Sequence, residues 1–87
     1  MASAKEMFQK LGYKVIEEDK YRTYRKKKTT YCYLEVVFGK EEKKYSVNYY
    51  ELHENIDKNK DLIYGAVVDM DLMKAIIQQC KEFGWYE

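Results

Sequence analysis

The chain has little proline, glycine, histidine or cysteine: its 87 residues include no proline, four glycines, one histidine and two cysteines. No low-complexity stretch or linker interrupts it, so we expect residues 1–87 to form a single α+β domain. Two cysteines and one histidine cannot build a common zinc site without other ligands. Cys32 and Cys80 each lie within an apolar pattern, and both are expected to be reduced thiols in the core.

Long apolar runs are also missing, and none approaches the roughly 18 residues that a membrane-spanning helix needs. The start of the chain leads from Met1 directly to Lys5 and Glu6 and shows no signal-peptide pattern. We therefore expect a cytoplasmic protein that does not enter a membrane. The formal charge of +1 argues against a dedicated nucleic-acid-binding protein. Charge is nevertheless uneven, because residues 1–50 carry 12 basic and 7 acidic side chains, whereas residues 51–87 carry 4 and 8.

Helix signals lie near both ends of the chain. A capping-box pattern and the spacing of the apolar residues predict a helix over residues 4–11. Asp71 is the expected N-cap of a second helix over residues 72–83. Gly12 and Gly84 are suited to end the two helices in the left-handed conformation, and each is followed by an aromatic residue that we expect to fold back on the helix.

Between the helices the apolar pattern changes to a period of two, which is typical of strands. The predicted strands cover residues 13–17, 21–26, 30–38, 43–52 and 62–68. Short turns between consecutive strands favour antiparallel pairing. We therefore expect a meander sheet of four to five strands, with the N-terminal and C-terminal helices packed on one face and the other face open to solvent or to a partner.

Two short segments bear a partial likeness to metal or catalytic motifs. Residues 57–61 match the start of an EF-hand loop, but the glycine and glutamate that such a loop requires are replaced by Leu62 and Val68. His53 lacks the second histidine of a zinc-protease helix and has no nucleophile associated with it by motif. The sequence therefore predicts no cofactor, no metal site and no enzymatic activity.

The most basic segment runs from Lys20 to Lys28, with Tyr21 and Tyr24 interleaved. Basic residues mixed with aromatic ones can hold a phosphate backbone and stack on bases. The competing interpretation is a charged hairpin tip or edge strand, in which lysines discourage edge-to-edge pairing. We favour the second interpretation.

Ten tyrosines are the most unusual feature of the composition. On the predicted strand over residues 30–38, Tyr31 and Tyr33 lie opposite an apolar stripe formed by Cys32, Leu34, Val36 and Phe38. If that stripe faces the helices, these tyrosines lie on the open face, where large rigid rings with polar tips suit a binding surface. The candidate binding residues, which depend on the strand register, are Tyr24, Tyr31, Tyr33, Tyr49, Tyr50, Arg25, Lys26, Lys27 and Lys28.

Both ends of the chain resemble a group of small, mostly uncharacterised proteins of Gram-positive bacteria and their phages. The resemblance lies in residues 4–13 (AKEMFQKLGY), in residues 70–76 (MDLMKAI) and in the closing EFGW of residues 82–85. In such proteins a short F-x-x-L-G-Y helix and a terminal helix ending in G-W bracket a variable strand region. The resemblance implies a fold and a phage or prophage source, and it carries over no functional residue.

These features lead to an expected function with two alternatives. We expect a phage- or prophage-encoded binding protein that acts on a host protein, as a defence inhibitor or host-takeover factor, through a tyrosine-rich sheet face. Self-association into a homodimer through the same face is a related expectation. The alternatives are a sponge that sequesters a nucleotide signal and a weak nucleic-acid-binding domain that uses Lys20–Lys28.

Overall fold

The computed structural model describes residues 2–51, 62–65 and 67–85, and within these residues it contains two helices and one five-stranded sheet. In chain order the elements are α1 (Ala4–Lys10), β1 (Lys14–Glu17), β2 (Tyr21–Lys27), β3 (Cys32–Gly39), β4 (Lys44–Glu51), β5 (Leu62–Gly65) and α2 (Met70–Glu82). The strands lie in sequence order and every neighbouring pair is antiparallel. The predicted α+β meander with a helix at each end is confirmed.

The two helices end in the same way. Gly12 has a φ of +94° and Gly84 a φ of +76°, a conformation that glycine adopts without steric cost. After each glycine the next amide donates back five residues, from Tyr13 N to Phe8 O at 3.0 Å and from Trp85 N to Cys80 O at 2.9 Å. This is the Schellman pattern of helix ends, and the rings of Tyr13 and Phe8 pack edge to face at 5.6 Å, as predicted.

The start of α2 differs from the prediction. The N-cap is Asp69, whose Oδ1 accepts a hydrogen bond from the amide of Leu72 at 2.8 Å. Asp71, the predicted cap, lies instead in the first helical turn. There its negative charge is still favourable, because the helix dipole is positive at that end.

The core forms where the helices cover one face of the sheet. Phe8 of α1 is fully buried and its ring stacks on Tyr24 of β2, with centroids 3.8 Å apart and planes 9° from parallel. Phe38 of β3 packs edge to face against Phe8 at 6.2 Å, and buried Ala75 and Ile76 of α2 complete the cluster. Cys32 is half-buried and Cys80 is buried, both as free thiols.

A polar network joins the core to the edge of the sheet. The buried Tyr24 hydroxyl donates to Oε1 of Gln79, which is itself fully buried and also accepts from Arg22 Nη1 at 3.3 Å. Arg22 in turn donates to Glu17 from Nε at 2.7 Å and from Nη2 at 2.6 Å. Burial raises the pKa of Tyr24 to about 12, and the hydrogen bonds from Arg22 lower the pKa of Glu17 to about 2.

Among the described residues, none of the helices is both long and apolar enough to cross a membrane.

Candidate functional site

The sheet has a second face, opposite the helices, which we call the outer face. Strand alternation and register assign to it the side chains Lys14, Ile16, Tyr21, Thr23, Arg25, Lys27, Tyr33, Glu35, Val37, Lys44, Ser46, Asn48 and Tyr50. None of these residues belongs to the hydrophobic core cluster beneath the helices. The outer face is therefore the part of the described sheet that presents side chains away from the core.

A stack of three side chains crosses the outer face from β2 to β4. The guanidinium of Arg25 lies 4.7 Å from the ring centroid of Tyr33. The ring of Tyr33 stacks on that of Tyr50, with centroids 4.8 Å apart and planes 15° from parallel. Because β2 and β4 flank β3, the ring of Tyr33 has one neighbour from each side.

An ion pair fixes the position of Arg25 in this stack. Nε and Nη2 of Arg25 both donate to Oε2 of Glu35, at 2.8 and 2.6 Å. The Glu35 side chain is only 10% exposed, whereas that of Arg25 is 47% exposed. A carboxylate this buried needs a partner, because desolvating an unpaired charge is costly. Glu35 therefore holds the guanidinium in place while much of it stays accessible.

Positive charge dominates the rest of the outer face. Lys14, Lys27 and Lys44 are exposed there, and Lys14 lies directly opposite Arg25 in the register of β1 and β2. Among the outward side chains of β1 to β4, the one carboxylate is Glu35, which already pairs with Arg25. The face therefore combines a stacked aromatic centre with Lys14 and Lys27 near it and Lys44 at the far end of β4, and no salt bridge joins these lysines to a described carboxylate.

Apolar side chains extend the outer face toward the opposite end of the strands. Ile16 is 37% exposed and Tyr21 is 42% exposed. Val37 on β3 is half-buried and pairs with Thr23 on β2, which in turn pairs with Ile16 on β1. Thr23 is 7% exposed, so its neighbours on the outer face largely cover it.

Four of the nine predicted binding residues meet on the outer face: Arg25, Lys27, Tyr33 and Tyr50. They form one continuous group, because Lys27 pairs with Tyr33 and Tyr33 pairs with Tyr50 across three adjacent strands. The structure thus brings part of the basic segment together with two of the tyrosines.

The other five predicted residues lie elsewhere. Tyr24 is 1% exposed and part of the core, so it does not belong to a binding surface. Tyr49 and Lys26 point to the helix side of the sheet, where the Nζ of Lys26 lies 5.8 Å from the ring centroid of Tyr13. Tyr31 and Lys28 precede β3 in the turn after β2, and Tyr31 is not on the strand as predicted, because β3 begins at Cys32.

Sequence patterns did not reveal the importance of Lys14 and Glu35. Glu35 alternates in sequence with the apolar stripe of its strand, but its pairing with Arg25 depends on the register between β2 and β3. Lys14 joins the group only because β1 pairs with β2. The sequence shows only charged residues at alternating strand positions, and this pattern does not show which residue of the neighbouring strand each one contacts.

A small cavity of about 110 Å³ lies at the other end of the sheet and is lined by Lys20, Tyr21, Gly39, Glu41 and Glu42. Pockets for small molecules are usually about 300–1,000 Å³. Two carboxylates also line the cavity, and they would repel phosphate groups. This cavity therefore does not fit the nucleotide-sponge alternative.

Other predicted motifs fall outside the described residues, namely His53 and the EF-hand-like residues 57–61. Within the described part of the chain, no three side chains of histidine, cysteine, aspartate or glutamate are grouped in a way that could hold a metal ion. No protein-family model matches the chain, and neither the curated proteins nor the solved structures contain a match. What the chain binds is therefore inferred from the outer face itself.

Proposed function

We propose that the chain is a non-catalytic binding protein that docks its outer face on a protein partner and acts by occupying the partner's surface. The observation that carries this proposal is the stack of Arg25, Tyr33 and Tyr50, preformed on the face that the helices leave uncovered. Tyrosine and arginine are the residue types most enriched at the centres of protein interfaces. Rings and a guanidinium already held in place lose little conformational entropy on binding.

The size of the outer face supports a protein as the ligand. Strands β2, β3 and β4 have seven or eight residues each, and at about 3.3 Å per residue they are about 25 Å long. Five strands spaced about 4.8 Å apart span about 19 Å, so the face offers roughly 500 Å² in projection. Interfaces of standard size take about 800 Å² of accessible surface from each partner. The projected area is therefore somewhat more than half of that value, and the side chains that stand out from the sheet add to it.

The arrangement of the rings favours a protein over single-stranded nucleic acid. Bases bind aromatic side chains by stacking on an accessible ring face. The ring of Tyr33 already stacks with Tyr50 and has the Arg25 guanidinium beside it. A base that stacks on Tyr33 would have to displace one of these neighbours, whereas a protein surface can bind beside the stack without separating its members.

Charge favours a partner other than a second copy of the chain. In a two-fold symmetric dimer the same patch meets itself. Such a contact would bring together two patches of like net charge, because the one carboxylate among the outward side chains of β1 to β4, Glu35, already pairs with Arg25, and like charges at an interface oppose binding. The homodimer expectation is therefore not part of this proposal. The resemblance of the chain ends to phage proteins supports a host protein as the partner.

The test compares two variants that add the same bulk on opposite sides of the molecule. Ser46→Tyr places a ring on the outer face, and Gln9→Tyr places one on the exposed side of α1; both original residues are exposed. Tagged wild-type protein is used to capture and identify a partner from a nuclease-treated bacterial lysate. The purified partner is then titrated into wild type and both variants by calorimetry.

We expect wild type and Gln9→Tyr to bind the purified partner equally, and Ser46→Tyr to bind at least about tenfold more weakly, a loss of about 1.4 kcal/mol. Equal binding by Ser46→Tyr would show that the binding site does not lie on the outer face. Capture of nucleic acid in place of a protein, seen when nuclease treatment is omitted, would contradict the proposal.

A further inference from the structure

We propose that the outer face receives an acidic segment of its partner, and that a partner carboxylate binds Arg25 between Lys14 and Lys27. This inference rests on the docking function proposed above and adds the chemistry of the partner. It is carried by the geometry of Arg25, by the placement of the two lysines and by the finding that Glu35 is the one carboxylate among the outward side chains of β1 to β4.

The guanidinium of Arg25 has donors left for a ligand. Nε and one N–H of Nη2 are directed to a single oxygen of Glu35. Among the described residues, none accepts a hydrogen bond from Nη1 of Arg25. The free end of the guanidinium, made of Nη1 and the second N–H of Nη2, is the edge that binds a carboxylate in a two-pronged manner.

Two more cations are neighbours of Arg25 on the outer face. Lys14 is the direct cross-strand neighbour of Arg25, at about 5 Å between Cβ atoms for such a pair. Lys27 lies two residues further along β2 on the same face, about 7 Å away. Since Glu35 compensates one of the three charges, the group keeps a net positive charge that a partner carboxylate would neutralise.

The arrangement of charge on the outer face favours a short acidic segment of a protein as the ligand over a nucleic-acid strand. Its cations form one compact group near the start of β1 and the end of β2, with Lys44 at the far end of β4. A nucleic-acid strand would need positive charge along a continuous track and rings open to stacking. A short acidic segment needs only one compact group of cations beside a surface for apolar contact, which Ile16 and Tyr21 provide.

The experiment follows backbone amides by NMR while an oligoglutamate peptide or an oligothymidylate of equal charge is added at low salt. The test variant is Lys14→Glu with Lys27→Glu on the outer face. The matched control is Lys5→Glu with Lys81→Glu on the helices, which makes the same change in net charge at exposed positions. Arg25→Lys is added because it retains the charge and a donor for Glu35 but removes the planar fork.

We expect the peptide to shift amides around Arg25, Lys14 and Lys27 in wild type and in the helix-side control, with similar affinity. The outer-face double variant should bind about tenfold more weakly, because two attractive contacts become repulsive. Arg25→Lys should fold and lose affinity by several-fold. Binding to the purified partner should also weaken as salt is raised.

Three outcomes would overturn the inference: tighter binding of the oligothymidylate than of the peptide, equal binding by the outer-face variant and its control, or no shift near Arg25. Each of these leaves the docking proposal to be judged separately by Ser46→Tyr. If Ser46→Tyr blocks binding of the partner while salt and charge reversal have no effect, the proposal of docking through the outer face is supported and the proposal of an acidic partner segment is refuted.

Discussion

The hydrogen bond between Tyr24 and Gln79 is expected to couple the sheet to α2 by about 1 kcal/mol. Both residues are essentially inaccessible to solvent, at 1% and 0% exposure. In Tyr24→Phe the ring remains stacked on Phe8, and Gln79 Oε1 keeps its contact with Arg22. The variant therefore loses one neutral hydrogen bond and should be destabilised by about 1 kcal/mol.

The companion variant, Gln79→Leu, acts in two opposing ways. It leaves the buried Tyr24 hydroxyl without its acceptor, at a cost of about 1–3 kcal/mol. It also removes Nε2 of Gln79, which is buried and has no hydrogen-bond partner among the described residues. We therefore expect a net loss of about 1–2 kcal/mol. In the double variant the unpaired hydroxyl is gone as well, so its loss should be smaller than the sum of the two single losses by about 1 kcal/mol.

Urea denaturation measures these differences directly. For a domain of this size the dependence on urea is about 1 kcal/mol per molar, so a loss of 1 kcal/mol moves the midpoint by about 1 M. The same loss lowers the melting temperature by roughly 4–8 °C. Strictly additive effects of the two substitutions would refute the coupling between Tyr24 and Gln79.

The same hydroxyl makes the stability sensitive to alkali. Burial raises the pKa of Tyr24 to about 12, above the value of about 10 expected for an unfolded tyrosine. A raised pKa means that the contribution to stability is complete below pH 10 and is lost as pH rises toward 12. Wild type should therefore lose more stability than Tyr24→Phe over that range, and parallel pH profiles would contradict the assignment.

Three further predictions concern local features. The pKa of Glu17 is lowered to about 2, so the ion pair of Glu17 with Arg22 stabilises the fold above pH 4.5 and this stabilisation is lost as pH falls toward 2. Glu17→Gln should therefore reduce the loss of stability in acid, by less than about 1 kcal/mol because the pair is partly exposed. Asp69→Ala should cost about 1 kcal/mol by denaturation and Asp71→Ala much less, and the reverse order would contradict the assigned cap. Gly84→Ala should lower the free energy of unfolding by about 1 kcal/mol, because alanine is strained at the positive φ of this position. At Gly12 an added Cβ would in addition lie 3.3 Å from the Lys26 side chain, so Gly12→Ala should lower it further.

Much of the fold follows from local rules that the sequence displays. The capping box, the two glycine-aromatic helix ends and the apolar stripe of β3 all depend on neighbours within a few residues. The structure confirms the capping box and the helix ends, and it places Val36 and Phe38 of the stripe in the core. The start of α2 was predicted two residues too late, because Asp69 and Asp71 are both good capping residues and spacing alone does not separate them.

Strand β2 shows why the candidate site was predicted only in part. Its helix-facing positions are Arg22, Tyr24 and Lys26, two of which are charged, so no polar-apolar alternation marks the buried side. The charged residues are accommodated by their long stems: the Arg22 guanidinium lies 4.9 Å from the Phe83 ring centroid, and Lys26 extends past Gly12. Because the sequence does not show which side of β2 is buried, it does not distinguish the core residue Tyr24 from the candidate binding residues.

The ion pair between Arg25 and Glu35 could not be predicted from the sequence for a different reason. It depends on the register of β2 against β3, which the turn between Lys27 and Cys32 fixes. A shift by one residue would move every side chain of a strand to the other face. The amides of Lys28 and Thr29 both donate to the carbonyl of Cys32, at 2.9 and 3.1 Å, and this geometry is not specified by a recognisable turn motif.

Lysine footprinting of the complex tests the central claim, docking through the outer face, most directly. The captured and purified partner is mixed with the protein, exposed lysines are acetylated briefly, and the modified positions are quantified by mass spectrometry against the free protein. Docking through the outer face should protect Lys14, Lys27 and Lys44, while Lys5 and Lys81 on the helices react as in the free protein. Protection of the helix lysines with unchanged reactivity on the outer face would contradict it.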